Sequence, residues 1–453
     1  MAGKPSEAAP LLIQVCTACG AASSPAQSGA PGVELSARTE TAGGSSQPPA
    51  GTPAALGTPW GITTALLLAD MFGIGSLALP GVFARLGWLV SVSLLVAFAL
   101  GCGYLGILFS KLAVAVPSAQ SMDEIGAAAM GKTGKRLVYA LAGSAIVVDP
   151  IALHIVSMLA VQQIFPALGT LAASAVVAAC MLPLAQIQSI HDAAWLSLVA
   201  TVCMICAVLA TLFKLLAIEG SQWDATSLLP PPGTRGIEGL IAALCLCFAF
   251  GGQVNWMRYI SSMQHREDFR FSAELADATF SVFYVLISVV GYSKLGPNFD
   301  HSKPITSVLP WDWWTVVINT ALLIRCLVAY VLNANVFSDL FCRLGRPWLS
   351  KLEDASPRMG RRASWALVSC SCVIMSFLVA YAVPKFDLVL AVIAVVGDVA
   401  APYTLPALFG LKLLPDLHRW ERWLLKTLVA VSVLFALFGG YAALYTLLET
   451  LAD

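Results

Sequence analysis

The chain has 453 residues, 58% of them hydrophobic and 11% charged, with a formal net charge of zero. A water-soluble domain carries about 25% charged residues, so a soluble globule is excluded, and without a basic block there is no surface for nucleic acid. Of the twelve cysteines, most fall inside apolar runs, where a thiol packs as a small apolar group. The pair Cys16 and Cys19 has metal-ligand spacing but lacks the His or second Cys pair of a zinc site, so no metal or other cofactor is expected; reversible acylation suits the pair better.

Residues 1–57 are rich in Ala, Ser, Gly, Pro and Thr. Such a segment buries too little surface to order itself and reads as a disordered cytosolic tail. It shows no charged leader, apolar core and cleavage site of a secretory signal, so the first membrane helix is expected to direct its own insertion. Residues 58–453 form the membrane domain. Apolar runs near the bilayer-spanning length of about 20 residues recur eleven times, at 60–82, 87–112, 136–164, 168–187, 193–217, 237–258, 273–294, 313–339, 363–383, 386–410 and 423–448. The third and fourth are divided by a short turn at Phe165–Gly169. Lys and Arg concentrate in alternate loops, among them Lys132, Lys135, Arg266, Arg270, Arg361, Arg362 and Arg419. The N-terminus is therefore expected inside and, after eleven crossings, the C-terminus outside. Trp60, Trp88, Trp311, Trp313, Trp314, Trp365, Trp420 and Trp423 flank the spans as interfacial anchors.

The first span is interrupted where it should be most regular. It reads LLLADMFGIGSLALP over 66–80, so Asp70, Gly73, Ile74, Gly75, Ser76 and Pro80 fall together. Gly weakens a helix, Pro lacks the N–H that bonds one turn back, and an unpaired acid in hydrocarbon is costly. The plainer alternative is a Gly-rich helix crossing, which leaves Asp70 and Pro80 unexplained. The sixth span repeats the interruption: Phe248, Ala249, Phe250, Gly251, Gly252, Gln253, Val254, Asn255. Broken helices five spans apart indicate an inverted repeat with its site at the repeat interface. Residues 60–217 and 237–410 are the two expected repeats, with 423–448 an added helix. A broken helix exposes N–H groups at one end and carbonyls at the other; the first attract a carboxylate and the second a cation. An amino acid zwitterion carries both.

Three stretches in order resemble the amino acid/auxin permease family: GIGSLALP (Gly73–Pro80) followed by Gly87–Trp88; FAFGGQ (Phe248–Gln253) continuing through Met263 to Asp268–Phe269; and Val383–Leu413 near span ten. The resemblance covers about 57–449. It implies an all-α amino acid–polyamine–organocation type fold and coupled movement of amino acids. It also implies a substrate held at Gly73, Ile74, Gly75, Ser76 and at Phe248, Phe250, Gly251, Gly252, Gln253. The chain departs from the family's pattern at Gln253, where His is common, at Met257–Arg258, where Pro–Glu is frequent, and at Asp398, where a small residue is usual.

The apolar interior also holds Asp149, His154, Arg325 and Asp398. Such groups pair with one another or line an ion path; Arg325 can meet Asp149 or Asp70, and His154 can be a packed core residue. Span eight offers Thr315, Asn319 and Thr320 for sodium, but Arg325 follows on the same helix and would repel it in a low dielectric. Asp70, Asp149, Arg325 and Asp398 are thus the candidate ion-coupling residues, with a proton favoured over sodium and Asp70 or Asp398 its carriers. The expected function is secondary active transport of small neutral amino acids across the plasma membrane or a vacuolar or lysosomal membrane. The alternatives are a sodium-coupled transporter and a membrane-bound amino acid sensor. No HExxH, GxSxG or paired intramembrane aspartate motif suggests an enzyme.

Overall fold

The computed structural model describes residues 57–187, 193–345 and 357–452; the expected tail, with Cys16 and Cys19, lies outside them. All regular structure there is helical: α1 (Trp60–Met71), α2 (Leu79–Ala115), α3 (Met122–Ile164), α4 (Thr170–Leu184), α5 (Ala193–Ala217), α6 (Gly236–Ala249), α7 (Trp256–Ser262), α8 (Phe269–Leu295), α9 (Trp313–Leu344), α10 (Pro357–Ala382), α11 (Phe386–Ile393), α12 (Leu405–Leu413) and α13 (Arg419–Ala452). Among the described residues, nine helical segments are long and apolar enough to cross a membrane, and α1 and α4 are shorter apolar helices. Helix α2 bends at Gly87, whose φ of 73° and ψ of 175° are non-helical. This divides the outer end of the first expected span from the second. A Cβ there would lie 2.5 Å from the Leu229 carbonyl oxygen, so both the angle and the space require glycine. Helix α3 ends at Ile164 and α4 begins at Thr170, as the Phe165–Gly169 turn predicts.

Lipid tails are as apolar as Leu, so helices in a bilayer associate through close packing, helped by small residues at crossings. Gly106 of α2 faces Ala273 of α8, and Gly397 faces Ala145 of α3; in each case an added Cβ would come within 2.6 Å of the neighbouring side chain. Helix α3 packs on α9, α2 on α8, and α5 on α9. The interior lies around α3 and the 386–413 segment, each 67% buried over its most apolar window, whereas α13 is 22% buried and peripheral.

Three segments depart from α-helix. A 3₁₀ turn, Ile74–Ala78, separates α1 from α2, and another, Gln253–Asn255, separates α6 from α7. Between α11 and α12, Ala394–Asp398 and Ala400–Thr404 are π-helical, with Val399 N–H donating to the Ala394 carbonyl at 2.8 Å. Ahead of α1, Thr58 pairs in parallel with Met263 beyond α7: Thr58 N–H donates to the Ser262 carbonyl at 2.7 Å, and Gln264 N–H to the Thr58 carbonyl at 3.1 Å. The interfacial tryptophans divide into two groups. Trp60, Trp311, Trp313, Trp314, Trp420 and Trp423 are exposed. Trp88 and Trp365 are half-buried: Trp88 packs against Phe83, Trp223 and Tyr292 and donates to Thr226 Oγ1 at 2.9 Å, and Trp365 donates to the Ala185 carbonyl at 3.2 Å.

Candidate functional site

The two interruptions meet. A Cβ on Gly75 would stand 2.8 Å from Ala249 Cα and 3.0 Å from the Phe248 ring, so the 3₁₀ turn after α1 rests on the last turn of α6. On the other side of the breaks, Met71 lies against Gly252, and Asn255 Nδ2 donates to Asp70 Oδ2 at 3.2 Å. Tyr259 also hydrogen-bonds Asp70, and Arg325 and Arg258 are within its electrostatic reach. Ser76 folds back, Oγ donating to the Gly73 carbonyl at 2.9 Å. The opening N–H groups of a helix have no partner within it; in the Ile74 turn the Ser76 N–H donates to the Gly73 carbonyl at 3.3 Å. Gly252 has a φ of 106°, the left-handed region that glycine tolerates best, and it lets α6 stop and α7 restart in a new direction.

Asp398 closes the junction from the third side. A Cβ on Gly251 would come 2.6 Å from Asp398 Cγ and 2.7 Å from its Oδ1. The Gly252 N–H donates to the carboxyl group, and Cys247 Sγ approaches the Asp398 carbonyl at 3.7 Å. The π-helical turn produces this placement, because one extra residue per turn rotates the following side chain out of α-helical register. Asp149 lies within electrostatic reach of both Asp70 and Asp398. The next residue, Pro150, sits inside α3, where its missing N–H leaves a carbonyl one turn back unpaired. Three carboxyl groups from α1, α3 and the π-helical segment thus surround the two breaks.

Not every predicted residue turns toward the junction. Phe248 faces Gly75, but Phe250 is fully buried and packs on Phe98, Phe280 and Tyr284. Ile74 is buried. Arg325 forms no ion pair with Asp149 or Asp70 among the described residues; it is half-buried, and its Nε is enclosed without a hydrogen-bond partner. His154 is a packed core residue, between Ser174 at 2.9 Å and Ser376 at 3.4 Å. The span-eight hydroxyls are committed elsewhere. Thr315 accepts from Lys214 Nζ and donates to the Pro310 carbonyl, while Thr320 is exposed and donates to its own helix. Asn319 Nδ2 donates to the Thr315 carbonyl at 2.9 Å.

Two arrangements escape the sequence reading. Asp277 of α8 is buried, hydrogen-bonds Cys102 of α2 and leaves Oδ1 without a partner. Its position near the charged start of the span, DFRFSAELAD, disguises it as an interfacial acid. The second is a cover above the junction. Arg85 Nη2 donates to Asp387 Oδ2 at 2.6 Å, with only 16% and 8% of the two side chains exposed. His301 packs on Gly81, and Phe386 N–H donates to the Ser302 carbonyl at 2.9 Å. A cleft of about 550 Å³, bordered by Arg85, Glu238, Asp300 and His301, opens beside this pair. Burial, and after it the Arg85 cation, hold His301 down at about 4 against the pull of Asp387 and Asp300. Acids within four residues of a base read as ion pairs in sequence; Arg85 and Asp387, from opposite ends of the chain, give no such signal.

Comparison with known proteins places this geometry. The profile of the family described as transmembrane amino acid transporter protein matches residues 57–447. Amino acid transporter AVT1H of Arabidopsis thaliana is 25% identical over 360 residues, 77% of this chain and 80% of that protein. Amino acid transporter AVT1D of the same plant is 23% identical over 414 residues, 84% and 68% of the two chains. Among solved structures, MhsT in complex with L-phenylalanine superposes with a TM-score of 0.56 at 13% identity, covering 84% of this chain and 98% of that one. That likeness shows the fold alone, an all-helical, multi-helix arrangement shared over most of both chains. With its profile matched across nearly the whole membrane domain, the chain belongs to the transmembrane amino acid transporter family, the amino acid/auxin permeases.

Proposed function

We propose that this chain moves small neutral amino acids by secondary active transport coupled to protons, binding the substrate at Gly73–Ser76 and Phe248–Gln253. The observation that carries this reading is the contact between the two interruptions, Gly75 on Ala249, with Asp70 and Asp398 at its edges. The substrate carboxylate is received by the N–H groups opening the Ile74 turn, and the ammonium by the carbonyls that end α6. Phe248 supplies an apolar wall. The solved structure that shares the fold carries L-phenylalanine, which agrees with an uncharged side chain in this one.

Proton coupling is favoured over sodium because of what surrounds the breaks. Arg325 brings a fixed cation within reach of Asp70, and the Thr315 hydroxyl is already engaged by Lys214 and the Pro310 carbonyl, which leaves Asn319 Oδ1 as an enclosed oxygen without a partner there. A sodium ion needs several oxygen ligands free to turn toward it. Carboxyl groups need only gain or lose a proton, and Asp70, Asp149 and Asp398 stand around the substrate. The repeats 60–217 and 237–410, the eleven crossings and the cytosolic N-terminus belong to the same reading.

The test is uptake of labelled amino acids into proteoliposomes with and without an inward proton gradient. Wild type accumulates neutral amino acids when the outside is acidic, in sodium-free choline buffer, and Asp70→Asn loses both accumulation and exchange. Sodium-dependent uptake abolished in choline would overturn the coupling assignment. Saturable ligand binding with no flux under any gradient would make the chain an amino acid sensor.

A further inference from the structure

We propose that the coupling proton is held on Asp277, outside the substrate junction, and that its presence is relayed to the sixth-span break through Cys102 and Gln253. The inference rests on the proton-coupled reading and moves the carrier from the junction carboxyl groups, Asp70, Asp149 and Asp398, to a fourth. It begins with a comparison of donors. Asp70 accepts from Asn255 and Tyr259, and Asp398 accepts from the Gly252 N–H, so each has standing donors for a carboxylate; Asp149, which meets Asp70 through charge alone, is only half-buried. Asp277 has one donor, the Cys102 thiol, and its Oδ1 is enclosed with none. No cation is paired with it among the described residues. A buried acceptor without a donor costs about 1–3 kcal/mol. A carboxylic acid differs from a carboxylate by one O–H donor, which this site lacks.

The relay follows from what Cys102 touches. Gln253 is fully buried; its Nε2 donates to the Phe250 carbonyl and lies 3.5 Å from Cys102 Sγ, while its Oε1 has no partner. With Asp277 ionised, the thiol donates its hydrogen to the carboxylate and its sulfur receives the Gln253 amide. With Asp277 protonated, the new O–H donates to that sulfur and the S–H turns to another acceptor; among the described residues Gln253 Oε1 and Tyr403 Oη are both enclosed without a partner near it, and the relay takes Gln253, whose amide already reaches the sulfur. The amide then rotates, and its hold on the Phe250 carbonyl changes. That carbonyl is one of those ending α6, where the substrate ammonium is placed above. Gly103, beside Cys102, lies against the acid: a Cβ there would be in ordinary contact with Asp277 Oδ2, at 3.6 Å.

The titratable groups facing this cluster are Cys102 from α2, Tyr284 from α8 itself and Tyr403 from the π-helical segment. Tyr284 is occupied, donating to the Ala249 carbonyl at 2.7 Å. Helices α1 and α5 also pack on α8 without bringing a charged group against Asp277.

The experiment uses the full chain in proteoliposomes with labelled L-alanine and a panel of neutral amino acids, measuring exchange at equal pH and accumulation under an inward proton gradient. Asp277→Asn, near-isosteric and permanently a donor, is expected to keep exchange within about threefold while losing about tenfold of gradient-driven accumulation, a coupling loss of ordinary allosteric size. The pH profile of its exchange becomes flat. Cys102→Ala behaves likewise, and Cys102→Ser, which restores an O–H relay, recovers part of the drive. Accumulation by Asp277→Asn equal to wild type overturns the relay alone. So does loss of drive in Asp277→Asn with Cys102→Ala fully coupled. If wild-type exchange is intact but indifferent to the proton gradient, the coupling reading falls and the relay with it.

Discussion

Single residues carry different weights of information here. Asp70 and the glycines at 73, 75, 251 and 252 stood out in the sequence because each violates what a membrane helix needs, and all of them lie at the junction of the two breaks. Asp398 stood out only as a charge; that it fills the space a Gly251 side chain would occupy depends on π-helical geometry, which no residue spacing encodes. Gly251→Ala should therefore push against a carboxyl group, not a flexible methyl. The expected cost is about 1–3 kcal/mol, as for other overpacked sites, read as a lower unfolding temperature in detergent together with lost uptake. Asp277 was illegible because burial is a property of neighbours: Glu274, three residues earlier, is exposed while Asp277 is enclosed. Phe250 shows the same limit, since two aromatics flanking one break point opposite ways.

At the scale of elements, the runs of apolar residues located the helices well. Helix α5 begins and ends where its run does, and α8 and α9 match within a few residues. The break between the first two runs, at 82–87, falls where Gly87 bends α2; what the runs could not give was that the chain there passes under Leu228 and Leu229. Nor did they show that α2 and α11 are joined above the junction by Arg85 and Asp387. Removing one partner of an enclosed ion pair strands the other charge, at about 3–5 kcal/mol. Arg85→Ala should accordingly destabilise the protein and raise labelling of cysteines introduced at Gly81 by membrane-impermeant reagents. Arg85→Ala with Asp387→Ala should regain most of the stability but keep the increased labelling. A double variant as unstable as the single one would mean the pair acts through something other than its charges.

For the whole molecule, recurring apolar runs and a family resemblance gave the all-helical, multi-pass class, because a bilayer permits few solutions for a chain with so little charge. The loop cover was not legible, and it has a pH signature. His301 is held neutral in the fold, near 4 against an ordinary value of 6.5. The folded protein therefore binds fewer protons than the unfolded chain between those values, and stability falls as pH drops through that window. His301→Gln should flatten the decline in unfolding temperature between pH 6.5 and 4, whereas an unchanged slope would assign the acid sensitivity elsewhere. The pairing of Thr58 with Met263 has a further, mechanical consequence. The residues leading into α1 and those leaving α7 are clasped by their backbones, which ties one arm of each interrupted helix to the other. A force applied at Thr58 is thereby felt at both interrupted helices at once, far from the residues where they meet.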